Sequence, residues 1–280
     1  MPHLAVTVLV DNATFIDRYF TAEPGLSFSI ETGGKKILFD LGYSGIFLAN
    51  AEKLGIDLLD LDYVVLSHGH IDHTGGLVPL MRRYMEAIIE HHSHNLPTVI
   101  AHPHCFYPRP MPPLADIGAP VDDAQLRRYF PVTLSTSPVW LTDDLVFLGE
   151  IPRDGRRLVS KKRIILTPAG NFPDLLLDDT ALAFKSDEGL VIITGCSHTG
   201  IGAIIRYARQ VCGEQRIRDV IGGYHLMDDD SAGISLSVSE LSALEPANLH
   251  PCHCTSLAAK IALAQVAPLH EVGVGLKLEY

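Results

Sequence analysis

The chain is short of positive charge. Its 280 residues carry 22 Lys and Arg against 33 Asp and Glu, a formal net charge of −11 at pH 7, with a pI near 5.6. Such a balance offers phosphate backbones and anionic lipid surfaces little to bind, so neither a nucleic acid nor a membrane is expected as a partner. Long apolar runs are missing too: no stretch reaches the roughly 20 residues that a membrane-spanning helix needs. The opening MPHLAVTVLVDN enters a β-type apolar run without a basic segment or small-residue cleavage site, so a cytoplasmic location is expected. Cysteine is scarce and odd in number, at Cys105, Cys196, Cys212, Cys252 and Cys254. That argues for free thiols rather than a disulfide framework. There is no G-x-S-x-G elbow, phosphate-loop lysine motif or complete dinucleotide fingerprint, so no serine nucleophile or nucleotide cradle is indicated.

What the chain does have is apolar content, 47% of its residues, with glycine and proline spread throughout. It can bury a large core, and no linker divides it, so one domain over 1–280 is expected. LAVTVLV, GLSFSIE and KKILFDL read as strands, the last two joined at a Gly33-Gly34 hairpin turn. A helix, GIFLANAEKLG, precedes the strand DYVVLS, and TVIAH (98–102) reads as another strand. Prolines crowd 103–120, which predicts an ordered loop insertion beside a site. The second half repeats the pattern. VWLTDDLVFLGEI, KRIILT, ALAFKS and GLVIITG lead to the helix IGAIIRYARQV. Then come the strand RDVIGGYH, a helix around VSELSAL, a strand toward NLHPCHC and a last helix SLAAKIALAQVA. Two meander-plus-helix halves predict an α/β fold, a four-layer αββα sandwich rather than one open parallel sheet.

Between DYVVLS and the helix LVPLMRRYMEAII lies SHGHIDHTGG. His68 and His70 are two apart, so an extended segment points them to one side. Asp72 and His73 follow as the chain bends into the helix. One pair can hold one cation and the second pair another, the two-metal arrangement that clamps attacking and leaving oxygens. Imidazole with carboxylate favours zinc, with iron or manganese as alternatives. His91, His92 and His94 read instead as a solvated helix end, and Cys252-His253-Cys254 is too tightly spaced for a structural zinc site.

The H-x-H-x-D-H turn resembles that of the metallo-β-lactamase-fold superfamily. VLVDN, GLSFSIE, ILFDLG, NAEKLGIDL, GEIPR, ITGCSHTGI, IGGYHL and PCHCT look like the subgroup of the methanopterin-pathway dihydropterin ribofuranosylaminobenzene phosphate synthase. The resemblance implies the four-layer sandwich and two zinc ions, His198 completing the first histidine set and His253 the second. His225 follows a strand and is either a ligand or a pocket residue contacting substrate. Asp40 would lie beneath the site, bonded to a ligand histidine. The chain departs from the superfamily at the bridging aspartate of a G-D step, where it has Gly195-Cys196. Cys196 as thiolate, or Asp178 or Asp179 from the preceding loop, would take that place.

The expected chemistry is hydrolysis of a small anionic ester, phosphoester or lactone by a metal-activated hydroxide oriented by Asp72. Arg153, Arg109 and His104 are candidates for an anion clamp. Gly200 and Gly202, where a helix begins, either present N–H groups to an anion or allow close packing. Two alternatives from other classes are a pterin-related synthase and a non-catalytic or redox-accessory protein on the same fold.

Overall fold

The computed structural model describes residues 3–153, 155, 163–228 and 230–280. The first half lays down β1 (Leu4–Val10), β2 (Ser27–Thr32) and β3 (Lys35–Phe39) as an antiparallel meander. β4 (Tyr63–Val65), β5 (Thr98–Ala101) and β6 (Val132–Leu134) then run parallel to β3. Parallel neighbours need crossovers. They are α1 (Ile46–Leu54), then α2 (Ile71–Thr74) with α3 (Leu77–Ile89), and a segment containing α4 (Asp123–Leu126). The second half contributes β7 (Val139–Trp140) and β8 (Leu145–Phe147), a separate hairpin of β9 (Ile164–Thr167) and β10 (Gly170–Pro173), and then β11 (Ala181–Ser186) and β12 (Gly189–Thr194). β13 (Ile217–Gly223) and β14 (Leu249–Cys252) continue in parallel, connected by α5 (Ile201–Cys212) and α6 (Ser231–Leu244) and followed by α7 (Leu257–Leu263). Finally β15 (Lys277–Glu279) returns to pair with β1. One sheet has the order β15-β1-β2-β3-β4-β5-β6, the other β14-β13-β12-β11-β8-β7.

Side-chain alternation stacks these elements. Along β3, Ile37 and Phe39 face one way and Leu38 the other, as the two-residue period of a strand requires. Ile37 and Phe39 join Phe28 and Ile30 against Phe147, Phe184, Val191 and Ile193, an apolar layer between the sheets. Leu38, Val64 and Val99 pack outward on Phe47, Leu80 and Tyr84 of the first-half helices. On the far side, Ala183, Ile192 and Val220 meet Ile204, Ile205 and Leu241. In α5 the buried positions Ile201, Ile204, Ile205, Ala208 and Cys212 fall on one helical face. Three apolar layers among helices, two sheets and helices make the αββα sandwich that the sequence pattern predicts. Truncating a fully buried ring such as Phe39 to alanine costs about 3–5 kcal/mol in such a layer.

Some elements differ from expectation. Of the expected strand KRIILT, Lys162 lies outside the described residues, and the remainder does not enter the main sheet: β9 pairs only with β10 among the described strands. β6 and β15 are strands of only three residues, VTL and KLE, too short for their alternation to stand out in the sequence. The last helix stops at Leu263. The proline-rich insertion is pinned to the histidine turn: Ile71 N donates to Ile117 O at 2.9 Å, and Ile117 N to Arg109 O at 3.0 Å. A side chain at Gly202 would run into the Glu240 carboxylate, so that glycine serves close packing of α5 on α6. His91 and His92 are exposed after α3, and His94 bonds the His92 carbonyl, consistent with a solvated helix end. No described helix is long and apolar enough to cross a membrane.

Candidate metal centre

The carboxyl ends of the parallel strands in both sheets converge, the place where α/β folds bind ligands. Asp40 follows β3, residues 67–73 follow β4, Cys196 to His198 follow β12, His225 follows β13 and His253 follows β14. Four of the residues there hold a left-handed backbone without being glycine: Asp40 (φ 55), Ser197 (φ 59), His225 (φ 47) and His253 (φ 50). Such conformations cost of order 1–3 kcal/mol each and persist where the surroundings enforce them.

His68, His70 and His198 form one donor set. His68 Nε2 lies 3.0 Å from His70 Nδ1 and 3.3 Å from His198 Nε2. Hydrogen bonds behind the rings decide where the lone pairs point. Ser67 Oγ donates to Asp40 Oδ2 at 2.6 Å, so it accepts from His68 Nδ1 at 2.9 Å, leaving the His68 Nε2 lone pair facing inward. Burial pushes His68 and His198 well below the ordinary imidazole range and His70 down to about 3. Three neutral imidazoles with nitrogens this close suit a cation, since the site disfavours a proton. His70 Nε2 is buried and has no hydrogen-bond partner among the described residues.

Asp72, His73, Cys196 and His253 form a second set. His73 Nε2 lies 3.1 Å from Cys196 Sγ and 3.2 Å from His253 Nε2, and Asp72 Oδ2 is 3.4 Å from His253 Nε2. His73 Nδ1 donates to Asp40 Oδ2 at 2.6 Å and His253 Nδ1 to Asn12 Oδ1 at 2.9 Å, which again turns both Nε2 atoms inward. Burial works against the His73 imidazolium, but the Asp40 and Asp72 carboxylates outweigh it and lift its pKa to about 9. Burial also opposes the Asp72 charge, yet His73 and His253 keep that carboxyl well below the usual carboxylate range. Cys196 and Cys254 touch at 3.5 Å between sulfurs. A third donor set is Cys196, His225 and Cys254.

The structure separates the candidates for the bridging position. Cys196 points into the centre. Asp178 instead accepts from Gly69 N and Arg109 Nη2, and Asp179 accepts from the His198 and Thr199 amides, so both brace the loops from behind. Arg109 is not an anion clamp: it is buried between Asp174 and Asp178, at 3.0 and 2.7 Å. Arg153 donates to the Leu176 carbonyl, and the His104 ring packs on His102 and Tyr107; neither lines the cavity over the centre. That cavity measures about 610 Å³ and is walled by Tyr43, Ile71, Ile117 and Met227 around His70, Asp72, His198 and His253. Among the described lining residues the one arginine is Arg163, a residue the sequence pattern does not flag because it lies on no motif. Ser67, Asn12 and Asp11 hold His68 and His253 from behind; they lie in the stretches SHGHIDHTGG and VLVDN, but nothing local in the sequence assigns them that role.

Residues 20–212 match the family profile described as the metallo-beta-lactamase superfamily. The chain is 29% identical to the 7,8-dihydropterin-6-methyl-4-(beta-D-ribofuranosyl)-aminobenzene-5'-phosphate synthase of Methanocaldococcus jannaschii, over 92% of this chain and 90% of that one. It also superimposes on the crystal structure of a metal-dependent hydrolase of the beta-lactamase superfamily, with a TM-score of 0.82, 28% identity and 99% of each chain covered. With the profile spanning more than half of its length, over a four-layer sandwich and a convergent histidine turn, the chain belongs to the metallo-beta-lactamase superfamily.

Proposed function

We propose that the chain is a metal-dependent hydrolase that holds two divalent ions, zinc by the chemistry of the donors, on the floor of the cavity. His68, His70 and His198 would hold one ion, and Asp72, His73, Cys196 and His253 the other. When bound, such a pair polarises a carbonyl or phosphoryl oxygen and lowers the pKa of water toward about 7. The observation that carries this reading is the first donor set, three buried imidazoles kept neutral with their nitrogens 3.0–3.3 Å apart.

The chain's own residues supply the remainder. Asp72 is ionised at neutral pH and its side chain is 33% exposed, so it faces the cavity as an acceptor that orients an attacking hydroxyl. Tyr43, Ile71, Ile117 and Met227 take the apolar body of a small substrate and exclude water. Arg163 takes an anionic group, a phosphate or carboxylate.

The test is metal content of the full chain by elemental analysis, with turnover of phosphodiester, ester and lactone panels. The expected result is about two zinc per chain and zinc-dependent turnover lost in His70→Ala. Metal content that is the same in wild type, His70→Ala and His253→Ala overturns the assignment.

A second reading, a pterin-related synthase, is favoured by the full-length similarity to the archaeal synthase and by a wall able to stack a flat ring on Tyr43. Calorimetry with a dihydropterin separates the two: binding without panel turnover supports the synthase, and no binding at millimolar concentration removes it.

A further inference from the structure

Two of the five cysteines meet inside the centre, and one of them is not needed by either histidine-based set. Cys254 Sγ lies 3.5 Å from Cys196 Sγ, and both residues are buried. A ring nitrogen of His225 and the two sulfurs all lie within 4.8 Å of one another. The backbone delivers them from three places: the end of β12, the end of β13 and the turn after β14. His225 N donates to Cys254 Sγ at 3.2 Å, and the same sulfur faces the Cys196 carbonyl at 3.7 Å, so Cys254 is held in place against Cys196 from two sides. Gly223 makes the room. A Cβ there would lie 2.6 Å from Cys254 Sγ, which only a bare Cα avoids.

The spacing is that of co-ligands. Two thiolates on one tetrahedral zinc, each about 2.3 Å from it, sit roughly 3.8 Å apart, whereas a disulfide brings them to about 2.05 Å. The other cysteines behave differently. Cys105, Cys212 and Cys252 pack in the three apolar layers and belong to no donor set among the described residues, as buried thiols used as small hydrophobes do.

We infer that Cys196, Cys254 and His225 form a further site for a thiophilic metal ion such as zinc or cadmium, joined through the Cys196 sulfur to the Asp72, His73 and His253 donors. The inference rests on the metal-dependent reading above and adds a sulfur-rich corner to it. It assigns a role to the departure at Gly195-Cys196: where the superfamily places a hard carboxylate bridge, this chain places a sulfur that a second sulfur and an imidazole can share. Two soft donors bias the centre toward zinc or cadmium and against manganese or magnesium.

The test is optical and does not depend on a known substrate. The full chain, stripped by chelation under reductant, is titrated with Co²⁺ while absorption is followed. Histidine-bound cobalt gives visible d–d bands, and sulfur ligation adds a near-ultraviolet charge-transfer band. The expected result is a charge-transfer band that falls to about half in Cys254→Ser and disappears in the Cys196→Ser/Cys254→Ser double variant, with the d–d bands of the three-histidine set retained. Cys212→Ala leaves both unchanged. A wild-type measurement guards against misfolding of the variants: ¹¹³Cd²⁺ bound to the unaltered chain gives a resonance in the range of two-sulfur coordination. A band insensitive to Cys254→Ser in a folded variant, or cadmium without two-sulfur character, overturns the inference and leaves the metal-dependent reading standing; cobalt that binds with d–d bands and no charge transfer overturns the inference and also removes Cys196 from the second donor set, leaving the three-histidine site. No cobalt binding of either kind overturns both.

Discussion

Asp40 Oδ2 lies 2.6 Å from His73 Nδ1, and neither side chain is exposed to solvent. The same carboxylate takes the Ser67 Oγ proton at 2.6 Å and the Ser67 amide at 2.7 Å, and Ser67 in turn orients His68. One strand-end aspartate thus sets the tautomer of a histidine in each of the first two donor sets. Asp40→Asn removes the charge and leaves one acceptor oxygen where the carboxylate uses two for its bonds from His73 Nδ1, Ser67 Oγ and the Ser67 amide. Metal affinity should fall about 10–100-fold, the usual effect of losing such a partner. Competition with a graded series of chelators measures it, and circular dichroism checks the fold. Unchanged affinity in a folded variant shows that Asp40 does not position the rings.

The buried Arg109 gives a prediction with a sign in pH. Burial works against the Asp178 charge, but Arg109 outweighs it and holds the folded pKa below the ordinary value. Asp178 therefore contributes stability that is present in full above its unfolded pKa of about 3.9 and is lost as pH falls through the lower folded value. Arg109→Met leaves two buried carboxylates uncompensated, a cost of about 3–5 kcal/mol. With Arg109 gone, burial dominates and the Asp178 pKa rises above its unfolded value, which reverses the sign. Melting curves should show the variant gaining stability as pH is lowered from 7 toward 5, and the wild type showing no such gain. Parallel curves for the two proteins would refute the account.

A third expectation concerns close approach between the two halves. A Cβ on Gly195 would run into the Ser67 hydroxyl and come within 3.1 Å of Asp40 Oδ2. Gly195→Ala should therefore cost about 1–3 kcal/mol from overpacking and lower metal content through the displaced Ser67–Asp40 pair. Chemical denaturation and elemental analysis on the same preparation read both effects. A stable variant with full metal would mean that Ser67 gives way without consequence.

The layering was legible in the chain because each strand's two-residue alternation and each helix's apolar face are local properties: Ile37, Leu38 and Phe39 announce their layers without any partner. The histidine turn was legible for a similar reason, since four of its donors lie within six positions. The rest depended on long-range contacts. Nothing local distinguishes Asp178 and Asp179, which brace loops, from a bridging carboxylate. Arg109 looks exposed among prolines until Asp174 and Asp178 arrive 65 and 69 residues later. Likewise the Cys196–Cys254 contact spans 58 residues and follows only from the adjacency of β12, β13 and β14.

Arg163 tests the substrate side of the proposal. It lines the same cavity as Asp72 and His198, and its charge contributes to the depressed His198 pKa, after burial and the neighbouring histidines. A guanidinium bonded to an anion contributes about 1.5–3 kcal/mol, so Arg163→Gln should weaken phosphate inhibition, or raise KM for an anionic substrate, by roughly 10–150-fold. Because the residue belongs to none of the donor sets, metal content should stay unchanged and kcat should move little. The split matters: a KM effect at constant metal content assigns Arg163 to anion recognition. A fall in kcat and bound metal with KM unchanged would instead place the residue in support of His198 and leave the anionic substrate without its cation.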